Sequence, residues 1–396
     1  MKRTIVCLLL ASLLIGCEAD PIDQLTDKVF ELAKNNYTAI DATLDEGRFP
    51  RSINDDGTLR TSDVGWWCSG FYPGSLWLIY EYTGDESMKQ MAWSRTKTLL
   101  PLLGRNTDHD IGFQINCSFG NAMRITGDTA SMKEYYVAAA RKLADRFNPA
   151  AGVIRSWDFL RNDWRYPVII DNMMNLELLT VASRLSGDES FAEVANAHAK
   201  TTLRNHFRDD FTSWHLIDYD PLTGDVRYRE TVQGYAHSSA WARGQAWALY
   251  GYSMMYRETA DGEYLTAAQR IADVIISLLP EDGIPWWDFH APGTPHSSES
   301  AAEPLRDASA GAIMASAFVE LSTLTANKEL SEKYLDVART QIFSLGSPEY
   351  LAEGNEAGGF LLKHCVGNLP DRSEIDVPLS YADYYFLEAI MRYKAL

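Results

Sequence analysis

Apolar residues recur at helical spacing along most of the chain and predict about twelve α-helices. The predicted helices span residues 22–40, 72–83, 87–103, 111–125, 131–147, 172–185, 189–207, 239–258, 264–279, 308–325, 329–345 and 379–394. Strand-like patterns are confined to short pieces such as Val168–Ile170 and Val226–Arg229. The pattern therefore predicts an all-α protein.

A short phrase ending in Gly-Asp separates several of these helices. It occurs as Tyr82–Asp85, Ile125–Asp128 and Leu185–Asp188, with weaker copies at Thr259–Gly262 and Thr325–Lys328. Gly, Asn or Asp in such a turn serves as a left-handed C-terminal cap, and an Asp or Ser begins the next helix. An all-helical repeat of this kind is typical of stacked helix pairs. A closed ring of pairs accommodates a long chain because each pair contacts only its neighbours. We therefore predict one (α/α)6 barrel over residues 17–396.

The connections alternate between tight and long, which places them at opposite ends of the barrel. If consecutive helices are antiparallel, the Gly-Asp turns share one end and the long connections share the other. Polar and aromatic residues gather in the long connections, at Trp66-Trp67, Asp108–Asp110, Trp164–Asp171, Trp214–Ser239, Trp286–Asp307 and Lys363–Ser380. Helix N-termini that converge on one rim carry partial positive charge and favour an anion. We expect the functional site at this rim.

The first residues resemble a bacterial lipoprotein signal. Lys2-Arg3 precedes the apolar run Ile5–Ile15, which is too short to span a bilayer, and Gly16-Cys17 follows. We predict a signal peptide over residues 1–16, a diacylglycerol on Cys17, and a protein anchored in the cell envelope and facing the periplasm. An ordinary signal peptide with a coincidental cysteine is the alternative.

The composition restricts the partners. The formal net charge is −18, so the chain repels nucleic acid and long anionic polymers at a distance. An anionic substrate would need a pocket whose local field opposes the global one. Eleven Trp and twenty Tyr suit a carbohydrate site, although aromatic residues also fill cores. Cys68, Cys117 and Cys365 lack the spacing of a disulfide framework or a zinc site, and we interpret them as packing residues.

Two aspartates stand at predicted helix N-termini on the rim. Asp171 follows the apolar run Val168–Ile170, and Asp110 precedes the helix that starts at residue 111. Either could be a simple N-cap. If the two carboxylates converge, their repulsion and partial burial would raise the pKa of one and let the pair share a proton near neutrality.

Arg243 is harder to explain as a surface residue. With Ser239 as N-cap, Arg243 would oppose the helix dipole in the first turns, and it shares a helix face with Trp247. A buried arginine requires an anionic partner, which could be a carboxylate of a neighbouring helix or a bound substrate carboxylate. Trp241 and Trp247 are, singly, more often core residues than sugar platforms.

No cofactor is expected. His109, His290 and His296 lack metal-ligand spacing, and the chain has no phosphate loop, nucleophile elbow or dinucleotide fingerprint. His215 and Gln233, taken alone, are ordinary loop residues.

Several motifs together resemble glycoside hydrolase family 88, the unsaturated glucuronyl hydrolases, from about Trp66 to the C-terminus. The matching segments are Trp67–Gly74, His109–Phe113, Ile170–Asn175, Gln233-Gly234, Trp241–Trp247, Pro285–Phe289 and Asp307–Ala310. The resemblance implies an (α/α)6 glycosidase that removes a terminal 4,5-unsaturated uronic acid from oligosaccharides made by polysaccharide lyases.

The resemblance also implies residue roles. Asp171 matches the general acid/base and Asp110 the second essential carboxylate. The expected substrate-binding residues are His215, Gln233, Trp241, Arg243 and Trp247, with Trp67 and Phe71 at the edge and His109 beside Asp110. The segment Lys363–Ser380 would contact the next sugar, and we expect it to diverge.

Two alternatives are weighed against this function. An unsaturated rhamnogalacturonyl hydrolase has a related barrel, but the contexts of His109-Asp110 and Met173–Asn175 favour the glucuronyl family. A lipid-anchored, non-catalytic glycan-binding protein would explain the signal, helices and aromatics. It would not explain two helix-terminal carboxylates with Arg243 opposite.

Overall fold

The computed structural model describes residues 20–159, 163–301 and 303–396, and these form a ring of helix pairs. In chain order the helices are α1 Pro21–Asp41, α2 Phe71–Thr83, α3 Glu86–Lys97, α4 Ile111–Ile115, α5 Asn121–Thr126, α6 Lys133–Ala144, α7 Leu176–Ser186, α8 Ser190–Asn205, α9 Ala242–Thr259, α10 Gly262–Leu278, α11 Ala308–Leu324, α12 Lys328–Leu345 and α13 Ser380–Lys394. A π-helical turn, Asn116–Gly120, joins α4 to α5 into one inner helix. Each predicted helix has its counterpart.

The inner ring consists of α2, α4–α5, α7, α9, α11 and α13, each packed against its neighbours in that order and α13 against α2. Inner helices are buried nearly all round: every residue of α11 from Ala308 to Ser322 is buried. The outer helix α12 instead buries one stripe that includes Tyr334, Ala338 and Ile342. An apolar surface on all sides needs neighbours on all sides, whereas one apolar stripe needs a single neighbour. The (α/α)6 barrel is confirmed.

The tight turns lie where an inner helix passes to the next outer helix. Gly84, Gly127 and Gly187 end α2, α5 and α7 with φ of 66°, 72° and 78°. Glycine adopts this left-handed conformation without a steric penalty. Ala260 takes the same conformation after α9, and Asn327 caps α12 through its side chain. The long connections therefore all precede inner helices, at the opposite end.

Small antiparallel sheets, mostly absent from the prediction, occupy the long connections and flank the rim. They pair β1 Phe49–Ile53 with β2 Leu59–Ser62, β3 Phe147–Asn148 with β4 Val153–Ile154, β5 Pro167–Ile169 with β6 Leu216–Tyr219 and β6 with β7 Val226–Glu230, and β8 Cys365–Asn368 with β9 Ser373–Val377. The predicted strand pieces at residues 168 and 226 correspond to β5 and β7.

One predicted cap is wrong. Helix α9 begins at Ala242, and the Ser239 hydroxyl donates to Asp288 Oδ2 at 2.6 Å instead of capping the helix. Cys68, Cys117 and Cys365 are buried free thiols, as predicted. The predicted signal peptide and Cys17 lie outside the described residues. None of the helices among the described residues is long and apolar enough to span a bilayer.

At the end with the tight turns, ion pairs tie the inner helices together. Arg257 of α9 pairs with Glu177 of α7 and Glu320 of α11. Arg392 of α13 pairs with Glu320 at 2.8 Å and lies 3.7 Å from Glu388. These five residues form the far-end ion cluster, and all of them except Glu320 line a cavity of about 650 Å³. Cations there offset the negative ends of the helix dipoles.

We expect Arg392→Met to lower the free energy of unfolding by about 3 kcal/mol, because two largely buried glutamates lose a cation and Glu320 keeps only Arg257. Denaturant unfolding would measure this. The matched control is Arg124→Met, because Arg124 pairs with Glu81 but its side chain is 52% exposed; its cost should stay within about 1 kcal/mol. Equal losses in both variants would contradict a special role for the cluster.

Candidate active site

A cavity of about 480 Å³ opens at the rim where the inner helices begin. Among its lining residues are six that sequence analysis placed in long connections or at helix starts: Trp66, Trp67, Asp110, Asp171, Gln233 and Arg243. Parts of the β8–β9 hairpin complete the wall. The structure thus brings both predicted carboxylates and the predicted arginine to one cavity.

Asp171 is held in place by the sheet that precedes it. Strand β5 pairs with β6, and the Ile170 amide donates to His215 O at 2.9 Å, which leads the chain into a 3-10 turn, Ile170–Asn175, before α7. The Asp171 side chain makes no cap hydrogen bond, so the N-cap interpretation is wrong. Its Oδ2 is buried and lacks a hydrogen-bond partner. An unpaired buried carboxylate oxygen is costly unless the group is protonated or meets a ligand.

Burial raises the pKa of Asp171 to about 7, while the positive charge of Arg243 opposes the rise. The Trp247 indole N–H has no partner of regular geometry, yet it is near enough to lower this pKa as well. We predicted that repulsion from Asp110 and partial burial together would raise this pKa; burial does so, and Asp110 is not among the causes for Asp171. A carboxyl group with a pKa near neutrality can donate a proton and later accept one.

Repulsion between like charges raises the pKa of Asp110 instead. Burial raises its pKa well above the ordinary value, and the nearby charges of Asp108 and Asp171 raise it further. Asp110 occupies the N-cap position of α4 without a side-chain cap bond, while its amide donates to Asp108 Oδ1 at 3.0 Å. The cap interpretation is wrong here too, and the carboxylate is left for the cavity.

His215 lies beside Asp171 as an uncharged ring whose Nε2 has no hydrogen-bond partner. Its Nδ1 accepts the Val232 amide at 2.9 Å, so the ring proton resides on Nε2, which lies 3.7 Å from Asp171 Oδ2. Burial lowers the pKa of His215 to about 3, which keeps the ring uncharged at neutral pH. Trp241 packs against this ring with centroids 4.7 Å apart.

Arg243 pairs with a carboxylate of a neighbouring helix, which is the first of its two predicted partners. Its Nη1 donates to Asp307 Oδ2 at 3.1 Å, and both terminal nitrogens donate to carbonyls of β8, those of Val366 and Gly367. Gln233 Nε2 also donates to Gly367 O, at 3.1 Å. The guanidinium is thus a structural anchor for the β8–β9 hairpin, and it still forms part of the cavity wall.

The aromatic predictions divide into two groups. Trp67 lines the cavity, but Phe71 is fully buried in α2 and packs beneath Trp67 with ring centroids 5.6 Å apart. Its prediction as an edge residue was wrong, because the first turn of α2 points into the core. Trp241 and Trp247 are also buried, in a layer behind the carboxylates. His109, fully buried, is in that layer as well.

Sequence reasoning missed several residues of the wall, among them Trp157, Phe159 and Arg51. Trp157 and Phe159 stack with centroids 5.1 Å apart, and Phe159 is 54% exposed. Two aromatics at alternate positions in a polar segment could have identified them. Arg51 of β1 packs over Trp66 at 3.7 Å and pairs with Glu374 of β9, 323 residues away. No local pattern encodes such a contact. Among the described residues no cluster of His, Cys, Asp and Glu could hold a metal ion.

Comparison with known proteins supports the resemblance. A scan against protein-family models gives no match. The chain is similar to an unsaturated glucuronyl hydrolase of Formosa agariphila, with 44% identity over 328 residues that cover 82% of this chain and 79% of the relative. An unsaturated glucuronyl hydrolase of Bacillus sp. strain GL1 is 34% identical over 356 residues, 87% of this chain and 90% of the relative. A crystal structure of an unsaturated glucuronyl hydrolase specific for heparin matches with a TM-score of 0.88 at 44% identity, covering 94% of this chain and 98% of that chain.

The raised pKa of Asp171 predicts a pH-dependent stability cost. Between the unfolded pKa of 3.8 and the folded pKa of about 7, the unfolded state releases a proton that the folded state retains. The protonated Asp171 therefore contributes to the free energy of unfolding at low pH, and this contribution is lost as the pH rises towards 7. Asp171→Asn removes this cost. We expect the free energy of unfolding of the variant, relative to that of the wild type, to increase from pH 4 to pH 8 by on the order of 3 kcal/mol.

Denaturant unfolding at both pH values would measure the gain. Asp188→Asn is the control, because hydrogen bonds from Ser190 and Arg141 lower the pKa of this exposed carboxylate to about 2. Its effect on stability should be the same at both pH values. A gain for Asp171→Asn that does not change with pH would contradict the raised pKa.

Proposed function

The chain belongs to the unsaturated glucuronyl hydrolases of glycoside hydrolase family 88, and we propose that Asp171 is its proton carrier. The enzyme is a glycosidase that releases the non-reducing-end 4,5-unsaturated uronic acid from lyase-generated oligosaccharides. The observation that carries the proposal is the unpartnered, buried Oδ2 of Asp171, on a carboxyl with a pKa of about 7 at the cavity wall.

The reaction needs one group that acts first as an acid and then as a base. Protonated Asp171 transfers its proton to C4 of the C4=C5 double bond, which leaves an oxocarbenium centre at C5. Water adds at C5, and the Asp171 carboxylate takes the proton that the water releases. The C5 hemiketal opens to a ketone, which converts C1 to a hemiacetal that expels the neighbouring sugar. The sum is substrate plus one water, giving a keto acid and the shortened sugar.

Asp110 and Asp171 have different tasks in this scheme. Asp171 supplies the proton that is transferred to C4. Asp110 accepts hydrogen bonds from ring hydroxyls and, in its ionised form, stabilises the developing oxocarbenium centre. Because cleavage follows hydration, the separation of the two carboxylates does not report on retention or inversion at C1.

The other predicted subsite residues bind the uronate or support the residues that do. The cation of Arg243 provides the local positive field that the acidic chain otherwise lacks, with helix N-termini adding to it. Gln233 and Trp67 supply polar and apolar contacts from the wall, and His215 offers its Nε2–H. Trp241 and Trp247 act from behind, by packing and through the indole N–H of Trp247.

We infer a glycosaminoglycan-derived substrate. A structure at 44% identity is that of a relative described as specific for heparin, which favours this class over pectic fragments. The proposed function thereby takes precedence over the rhamnogalacturonyl hydrolase alternative, and two carboxyl groups whose pKa values are both raised by burial at one cavity disfavour a purely binding protein.

Asp171→Asn should abolish turnover of unsaturated disaccharides while leaving their binding intact, because the amide keeps the shape of the carboxyl group without a transferable proton. Loss of the ultraviolet absorbance of the double bond measures turnover, and calorimetry measures binding. Asp188→Asn, at the opposite end of the barrel, serves as the control with wild-type activity. Near-wild-type turnover by Asp171→Asn would disprove the assignment.

We also propose that Cys17 carries a lipid anchor in the cell envelope, supported by the charged, apolar and Gly-Cys pattern of the first residues. Cys17→Ala should move the protein from the membrane fraction to the soluble envelope fraction without a change in turnover. Equal distribution of the two proteins would leave an ordinary signal peptide as the explanation.

A further inference from the structure

Resting on the proposed function, a second inference concerns how Asp110 is held. We propose that Asn175 and His109 are positioning residues that orient the Asp110 carboxylate and favour its ionised form.

The first step fixes the Asn175 amide. The Phe113 amide N–H can only donate, and it points to Asn175 Oδ1 at 2.8 Å. The nitrogen of the side chain must therefore face the other way. The contact needs Gly112, because a Cβ there would lie 2.3 Å from Asn175 Oδ1. The glycine and the asparagine belong to two separate sequence motifs, and this contact joins them.

The second step fixes the protonation of His109. Asn175 Nδ2 lies 3.2 Å from His109 Nδ1 and can only donate, so Nδ1 accepts and the ring proton resides on Nε2. Asn172, whose Nδ2 donates to Ile154 O at 2.8 Å, acts in the opposite direction to burial on the pKa of His109. Burial, together with the charge of Arg146, lowers the pKa of His109 to about 3, so the ring stays neutral.

The third step reaches the carboxylate. His109 Nε2 lies 3.4 Å from Asp110 Oδ1, and a hydrogen bond from Asn175 lowers the pKa of Asp110. The other groups that act on Asp110 are Asp108 and Asp171, which raise its pKa, and Arg146, which lowers it. Asn175 therefore opposes the effect of burial, and the Nε2–H of His109, which has no hydrogen-bond partner of its own, lies beside the carboxylate. Neither His109 nor Asn175 lines the cavity, so both act through Asp110.

Asn175→Asp tests this proposal, because it keeps the size of the side chain and replaces the donor by an acceptor. We expect kcat to fall about 10- to 100-fold with a smaller change in KM. The acidic limb of the kcat/KM profile should move upwards by about one pH unit, because Asp110 loses a donor and faces a new carboxylate.

The matched control is Asn121→Asp. Asn121 is also buried and donates to Cys117 O and Tyr384 OH, each at 2.9 Å, but it lies in α5 at the other end of the barrel. Its variant should keep the wild-type pH profile. If Asn175→Asp fails to fold, His109→Gln replaces it in the test. Glutamine can accept from Asn175 and donate to Asp110, so this variant should retain more activity than His109→Leu.

A measurement that is independent of turnover separates this inference from the proposed function. Long-range proton–nitrogen NMR of the imidazole rings should show His109 with its proton on Nε2 in the wild type and on Nδ1 in Asn175→Asp. If the wild type hydrolyses no unsaturated oligosaccharide, the proposed function fails while the NMR result still tests the hydrogen-bond chain. An active wild type with an unchanged pH profile and tautomer in Asn175→Asp would overturn the inference.

Discussion

All inner helices of the ring run in the same direction, and the site depends on this constraint. A tight left-handed turn leaves no room for functional residues; α2, α5, α7 and α9 end in such turns at glycine or alanine, and each inner helix begins after a long connection. The helix starts then share one rim, where their partial positive charges add. A strongly acidic chain can thereby present a cavity suited to an anionic sugar. The buried Asp171 and Asp110 occupy the two helix starts where that field meets the cavity.

Helix positions, the ring and the convergence of carboxylates could be predicted, because periodicity and turn residues are local properties of the sequence. The causes of the raised pKa values of the two aspartates could not be predicted. Asp171 owes its raised pKa to burial, and the degree of burial follows from the packing of β5, β6 and α7 rather than from neighbours in sequence. For the same reason the cap interpretation of Asp171 failed: the chain enters α7 through a 3-10 turn instead of directly.

The wall of the cavity was the least predictable part. Arg243 has an anionic partner, as expected for a buried guanidinium, but choosing Asp307 required the placement of α11 and of the hairpin β8–β9. Short strands in long connections carry too few residues for a clear alternation. Trp157 and Phe159 lie between two such strands, which is why their contribution emerges only in three dimensions.

The ring also has a seam, where its first and last helices meet without a covalent link. Tyr37 of α1 donates to Asp383 of α13 at 3.0 Å, across 346 residues, and Asp383 in turn accepts the amides of Leu361 and Leu362. Arg51 and Glu374 form an ion pair across the same seam, at the mouth of the cavity. During synthesis, the segment bearing both carboxylates leaves the ribosome long before its closing helix. The apolar inner helices made by then have no complete ring to enter, so the finished site is among the last features to form.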